Sequence, residues 1–273
     1  MASGAPLVMG VLNVTPDSFS DGGRFADIEA ALAQARALVA AGADWLDVGG
    51  ESTRPQAQPV TEEVELARVL PVVRALREQL DAPVSIDTRK PGVARAAIAA
   101  GASMWNDITA LTGAPESLQM AAKIGAPVVL MHMQGEPATM QDAPHYEDAL
   151  AEVCAWLGAR AEAAMAAGVP KEAIWLDPGI GFGKRLEHNL ALLARLDRLV
   201  ALGFPVLLGA SRKRTVQYID PTAVDPMDRL GGSLAIALHG ARAGVAMVRV
   251  HDVRETVQAL KVQAAILAAR RLA

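Results

Sequence analysis

The sequence predicts a single (β/α)8 TIM barrel occupying residues 1–273 as one domain. Three observations carry that expectation. About eight short apolar runs recur, and each is followed by a longer segment of helical period. No linker, low-complexity stretch or charge run marks a second domain. The length of 273 residues suits one such barrel, for which about 250 is typical. A doubly wound open sheet would look similar locally and is the main rival. An unbroken series of βα units favours the closed form.

The elements follow in order. A strand over 7–14 leads to a helix over 27–41, and Ala-Gly-Ala at 41–43 turns the chain into a strand at 45–49. A helix over 61–80 and Ala-Pro at 82–83 precede the strand at 84–87. The helix at 91–100 ends in Ala-Gly-Ala at 100–102, ahead of a strand at 104–108. Gly-Ala-Pro at 125–127 introduces the strand at 128–132. Glycine ends a helix and the chain enters the sheet directly. Beyond it lie a helix at 146–167, a strand at 174–177, a helix at 189–201 and a strand at 206–210. The series closes with a helix at 229–243, a strand at 246–251 and a helix at 253–272.

Apolar residues make up 52% of the chain and aromatic residues only 4%. The core must therefore be mostly Ala, Val, Leu and Ile, which suits buried parallel strands. A formal charge of −4 argues against a nucleic-acid partner, because such binding relies on clustered cations. It leaves room for a small anion held by a few focused cations. The single cysteine, Cys154, allows no internal disulfide framework and reads as a structural thiol on a helix. The start of the chain lacks the pattern of a signal peptide, and no stretch has the ~20 apolar residues needed to cross a bilayer. These features predict a soluble, cytoplasmic protein with no membrane partner.

Polar residues gather at the carboxyl ends of the strands, the face where barrel enzymes place their sites. They are Asn13, Asp47 with Glu51, Asp87, Asn106 with Asp107, His132, Asp177, Ser211 with Lys213, and Arg249 with His251. Any one could be a helix cap, the reading given to Asp107 and Asp252; eight on one face argue for a site. Asp87, Asn106 and Asp177 offer acceptors and an amide to the donor-rich edge of a flat heterocycle. Arg54, Lys213, Arg249 and His251 offer cations to a phosphate or diphosphate. No nucleophile–base pair stands out, so the site reads as one that binds and polarises.

Weaker signals receive structural readings. The run from Gly179 to Lys184 resembles a phosphate loop but carries Pro178 and Arg185 where that motif needs Gly and Ser or Thr. It reads as a flexible turn, with Phe182 either packing or walling the ligand site. His145, His188 and His239 lack zinc spacing and read as surface or capping residues. His132 fits the site and a core histidine about equally well. Trp45, Trp105 and Trp175 read as barrel packing.

Together, several strings resemble the dihydropteroate synthase family over almost the whole chain. They are NVTPDSFSDGG from Asn13 to Gly23, GGESTRP from Gly49 to Pro55, SIDT from Ser85 to Thr88 and NDI from Asn106 to Ile108. MHMQG from Met131, LDPGIGFGK from Leu176, SRK from Ser211 and RVH from Arg249 complete the series. The resemblance implies that Asp87, Asn106, Asp177 and Lys213 hold a pterin ring, with Met131 and Phe182 beside it. It implies Mg2+ as cofactor, met by Asn13, which with Arg54, Arg249 and His251 neutralises a diphosphate. Phe19, Thr53, Pro55, Phe182, Ser211 and Arg214 would line the pocket for para-aminobenzoate. Asp87, Asp177, Lys213 and Arg54 would carry catalysis, by an SN1-like substitution. The family also implies a homodimer.

Two positions depart from the family pattern. Arg214 opens the stretch Arg214-Thr215-Val216-Gln217, where many members have Ser, and Gln56 stands where Gly is common. The rival readings are a pterin-binding methyltransferase domain, a non-catalytic pterin-binding scaffold and an unrelated phosphate-binding barrel. The first has no need of a diphosphate clamp. The second should have lost strand-end groups, and the third leaves Asp87, Asn106 and Asp177 without a purpose.

Overall fold

A computed structural model describes residues 5–15, 23–52 and 58–270, with side chains from residue 27 onward in the second stretch. Eight parallel strands form the sheet: β1 (Leu7–Asn13), β2 (Trp45–Gly49), β3 (Val84–Asp87), β4 (Met104–Asp107), β5 (Val128–Met131), β6 (Ile174–Asp177), β7 (Leu207–Leu208) and β8 (Met247–Val250). Their spatial order is β6-β5-β4-β3-β2-β1-β8-β7. A bridge from Leu176 to Val206 joins the two end strands, so the barrel is nearly closed. The predicted strand at 206–210 contracts to two residues because Gly209 and Ala210 leave the ladder toward the turn at Arg212, whose φ is 57°.

Helices surround the barrel: α1 (Gly23–Ala40), α2 (Glu62–Gln79), α3 (Pro91–Ala99), α4 (Ser117–Ile124) and α5 (Ala149–Ala166). After them come α6 (Leu186–Ala194), α7 (Leu196–Val200), α8 (Arg214–Ile219), α9 (Leu230–Ala243) and α10 (Val253–Arg270). Local chemistry sets their limits. The Thr61 hydroxyl accepts from Val64 N at the start of α2, and Asp148 accepts from Ala151 N at the start of α5, each satisfying a free helical N–H. Gly125 ends α4 and Gly244 ends α9 in the left-handed conformation, at φ 69° and 91°, which glycine adopts without steric cost. The helix expected over 189–201 is two helices, broken at Arg195 with φ −129° and ψ 38°. The helix expected from 146 starts at Ala149, because Tyr146 instead bonds the Gly183 carbonyl. Asp107 caps a turn rather than a helix, accepting from Thr109 N and Leu111 N. Asp252 precedes α10, but its carboxylate pairs with Arg212 while its backbone carbonyl accepts from Thr256.

Strand alternation creates two separate cores. Val8, Leu12, Leu46, Val48, Ile86, Leu130, Leu176 and Val248 face outward and pack under the helices. Met9, Met104, Val129, Leu207 and Met247 face inward and fill the barrel, with Trp45 and Trp175 packed against them. Trp105 belongs to the outer layer, 1% exposed, and donates its indole N–H to the Thr88 carbonyl at 2.7 Å. Cys154 is half-buried on α5. Among the described residues, no helix is long and apolar enough to cross a membrane.

Candidate active site

The inward face changes character along each strand. Met9 pairs with Trp45, and two residues on Val11 pairs with Asp47 and Asn13 with Gly49. Asp47 lies opposite Ser85, Gly49 opposite Asp87, and Asp87 opposite Asn106. Met131 lies opposite Asp177, and Arg249 follows Met247 by two residues on β8. A period of two therefore projects Asn13, Asp47, Asp87, Asn106, Met131, Asp177 and Arg249 into one mouth above an apolar plug. These residues were singled out from sequence, and the register brings them together.

Glycines keep the mouth open. A methyl group added to Gly49 would lie 3.5 Å from Asn13 Oδ1 and 3.6 Å from the Asp87 side chain. One added to Gly209 would lie 3.6 Å from Asp177 Oδ2 and 3.9 Å from Arg249.

Arg249 organises the floor. Its Nε meets Asp47 Oδ2 at 2.6 Å, and Nη2 meets Asp87 Oδ2 at 2.8 Å. Asn106 Nδ2 donates to the same Asp47 oxygen at 3.1 Å. Burial opposes the Arg249 charge, but Asp47 and Asp87 outweigh it and push its pKa up. Burial raises Asp87 to about 7, only partly countered by Arg249. Burial likewise raises Asp177, against the pull of Lys213 and a 2.7 Å bond from Gly179 N. Deeper in the barrel, Asp47 Oδ1 and Ser85 Oγ are buried with no hydrogen-bond partner among the described residues. An unpaired buried acceptor is costly, so this floor carries an unrelieved strain beneath the mouth.

Lys213 closes the opposite side. Its Nζ donates to the Ile180 carbonyl at 2.5 Å and sits 4.6 Å from the centroid of the Phe182 ring. Burial lowers its pKa to about 8, with Asp177 opposing the shift. Ser211 Oγ accepts from His251 N at 3.1 Å and lies 3.2 Å from His251 Nδ1. Arg214 is exposed at the first position of α8. Phe19, Thr53, Arg54 and Pro55, together with Gln56, lie outside the described residues.

The run from Gly179 to Gly183 is not the loose turn expected from sequence. Side chains fasten it, and the chief one is Lys184, which is 1% exposed. Sequence reasoning assigned this lysine no role, because a Gly-rich run gives no sign of where the next side chain points. His132 is a core histidine: it is 5% exposed, packs edge-on against Trp156 and receives Lys184 Nζ at Nδ1. Burial and Lys184 push its pKa down to about 3. His188 takes part in capping α6, and His239 bonds the Leu193 carbonyl.

The family model described as pterin binding enzyme matches residues 9–251. The chain belongs to the pterin-binding enzyme family. Within that family it is 48% identical over 265 residues to a dihydropteroate synthase of Escherichia coli strain K12, covering 97% of this chain and 93% of the relative. Its fold is similar to that of Xanthomonas albilineans dihydropteroate synthase with 4-aminobenzoic acid, at TM-score 0.91 and 50% identity, covering 98% of this chain and 95% of the other. The same enzyme in complex with 7,8-dihydropteroate matches at TM-score 0.87 and 47% identity, covering 98% and 96%. Pterin-binding relatives thus share both the barrel and nearly the whole length.

Proposed function

We propose that the chain is a dihydropteroate synthase, a cytoplasmic transferase acting as one pterin-binding domain over residues 1–273. It would join 6-hydroxymethyl-7,8-dihydropterin diphosphate to para-aminobenzoate, giving 7,8-dihydropteroate and diphosphate. The observation that carries this reading is the acceptor-rich mouth, where Asp87, Asn106 and Asp177 share the inward face with Arg249. Relatives that hold 4-aminobenzoic acid and 7,8-dihydropteroate support the two substrates. A homodimer fits the exposed apolar side chains Tyr218, Ile219, Val224 and Met227 on and just after α8.

In this reading Asp177 accepts from the 2-amino group and N3 of the pterin, and Asp87 and Asn106 take other edge groups. Lys213 supplies a donor, while Met131 and Phe182 contact the ring. Arg54, Arg249 and His251 receive the diphosphate; Arg249 Nη1 takes part in neither of its carboxylate pairs. Phe19, Thr53, Pro55, Phe182, Ser211 and Arg214 line the para-aminobenzoate pocket, with the exposed guanidinium of Arg214 available to its carboxylate.

Among the described residues, no group of three or more His, Cys, Asp or Glu side chains forms a metal site. Asn13 offers one hard oxygen donor at the mouth. That suits Mg2+, which is often held by few protein ligands together with substrate phosphates and water. When bound, the ion would neutralise charge on the leaving diphosphate. The protein's own part is electrostatic. The C–O bond breaks with its electron pair leaving on the diphosphate, and Asp87 and Asp177 favour the cationic pterin methylene. The aniline nitrogen then forms the C–N bond to the methylene, and its proton passes to the released diphosphate or to water. Purified protein with Mg2+ and the pterin diphosphate should release diphosphate steadily once para-aminobenzoate is added, and form dihydropteroate in equal amount. Release that ignores para-aminobenzoate, or no release, would sink the reading.

A further inference from the structure

Five consecutive carbonyls after Asp177 each accept a hydrogen bond from a side chain. Gly179 and Phe182 receive Lys184 at 3.1 and 3.0 Å, Ile180 receives Lys213 at 2.5 Å, Gly181 receives Gln141 at 2.6 Å and Gly183 receives Tyr146 at 2.8 Å. Such a turn demands glycine. A methyl group at Gly179 would fall 1.9 Å from the His132 carbonyl oxygen, and one at Gly183 would fall 2.3 Å from that of Gln134. Both residues also have positive φ, 64° and 58°.

Lys184 stands out within this arrangement. Its Nζ also reaches the His132 carbonyl at 3.2 Å and His132 Nδ1 at 2.8 Å. Four neutral acceptors therefore surround a group with three N–H donors, and no carboxylate pairs with it among the described residues. Burial lowers its pKa to about 7, against the field of Asp177. A buried ammonium is expensive unless it is fully hydrogen-bonded. Methionine would fill the same space without that cost, so plain packing does not account for a lysine here.

We propose that Lys184 is a positioning residue. Its ammonium ties the end of β5 to the 179–183 turn and so holds the Ile180 carbonyl and the Phe182 ring where they fix Lys213 at the mouth. The kinetic half of this proposal rests on the functional reading above, in which Lys213 and Phe182 meet substrate. The structural half does not.

The test is Lys184→Met in the full chain, read in two ways. Amide hydrogen exchange over residues 177–186 should accelerate at least about tenfold, as loss of the carbonyl ties frees local opening. The kcat/KM for the pterin substrate should fall on the order of 10- to 100-fold, the usual scale of a small misplacement. Lys213→Ala should then cost much less in the Lys184→Met background than in wild type, because the two act on one contact. Unchanged exchange overturns the proposal whatever the reaction proves to be. So does faster exchange with multiplicative kinetic losses, the signature of a merely structural role. If Lys184→Met does not fold, Lys184→Gln replaces the ammonium by a shorter neutral amide that can keep only part of its ties. It should show both effects in weaker form, and the absence of both would overturn the idea. Inactive wild-type protein in the diphosphate assay would instead refute the functional reading, while exchange still decides whether Lys184 holds the turn.

Discussion

Two clusters of buried charge sit side by side at the carboxyl ends of β2 and β3, and they are built on different principles. In the outer one, Lys90 bridges Glu51 at 2.7 Å and Glu65 at 2.6 Å, while Arg89 takes the other oxygen of Glu51. Burial pushes Glu51 up, but bonds from Arg89 and Lys90 outweigh it and leave its pKa lowered. Glu51 also accepts from Val60 N, so the cluster ties the base of the β2–α2 connection to α2 and the start of α3. In the inner one, Arg249 alone spans Asp47 and Asp87, and Lys213 bonds a carbonyl rather than a carboxylate. There burial wins, and Asp87 and Asp177 are both raised. One cluster gives each carboxylate a cation, although Glu65 Oε1 has no partner among the described residues, and it serves as a strut. The other is short of donors, which is the condition a ligand can relieve.

The largest difference should appear on removing one charge from the inner cluster. Asp177→Asn keeps an oxygen for Gly179 N but loses the charge offered to the pterin. Hydrogen bonds to a charged group contribute about 1.5–3 kcal/mol, so kcat/KM should drop roughly 10- to 100-fold with little change in the urea midpoint. Near wild-type turnover and pterin affinity would remove Asp177 from the pocket. The outer cluster should answer the other way. Lys90→Met leaves Glu65, which is 0% exposed, without its cation, a loss that costs about 3–5 kcal/mol in buried pairs. Stability should fall by that order while the folded fraction keeps its kinetic constants. Lys90→Met with Glu65→Leu should recover much of the loss. A stable but inactive Lys90→Met protein would show that the strut belongs to the site.

How much of this was legible in sequence follows from what each signal encodes. Short apolar runs gave β2, β3 and β6 to the residue, because a run flanked by turn residues leaves little choice of boundary. Their carboxyl-end positions marked Asp47, Asp87, Asn106, Asp177 and Arg249 as one group, and only the register of the structure turned them to one face. Partners were not legible. That Arg249 pairs with Asp47 and Asp87, 202 and 162 residues away, depends on barrel closure. Lys90 and Glu65 carried no signal, because a glutamate in the first turn of α2 is an ordinary surface choice and nothing in the sequence shows that the lysine before α3 reaches it. The short helix α4 escaped the enumerated elements for a related reason. Eight residues give too few turns for a period to emerge.

The smallest expected effect is also the one that sets the two clusters most directly against each other. Asp87 moves from an ordinary 3.8 up to about 7 on folding. Between those values the unfolded chain has lost the proton and the folded chain retains it, so stability should decline as pH rises through that window. Glu51 is lowered from 4.5. Its contribution should be complete above the unfolded value and disappear as pH falls through the folded one. The outer cluster therefore gives a rising slope at acid pH, and the inner cluster gives a falling one toward neutrality. Urea unfolding of wild type, Glu51→Gln and Asp87→Asn across this range separates them. Glu51→Gln should flatten the acid limb alone, and Asp87→Asn the neutral limb alone. A decline in Asp87→Asn parallel to wild type would mean that Arg249 keeps Asp87 ionised throughout. A bound pterin donating N–H groups to Asp87 should favour the carboxylate and remove the neutral decline in wild type. That result would tie the shortage of donors in the inner cluster to the ligand that fills it.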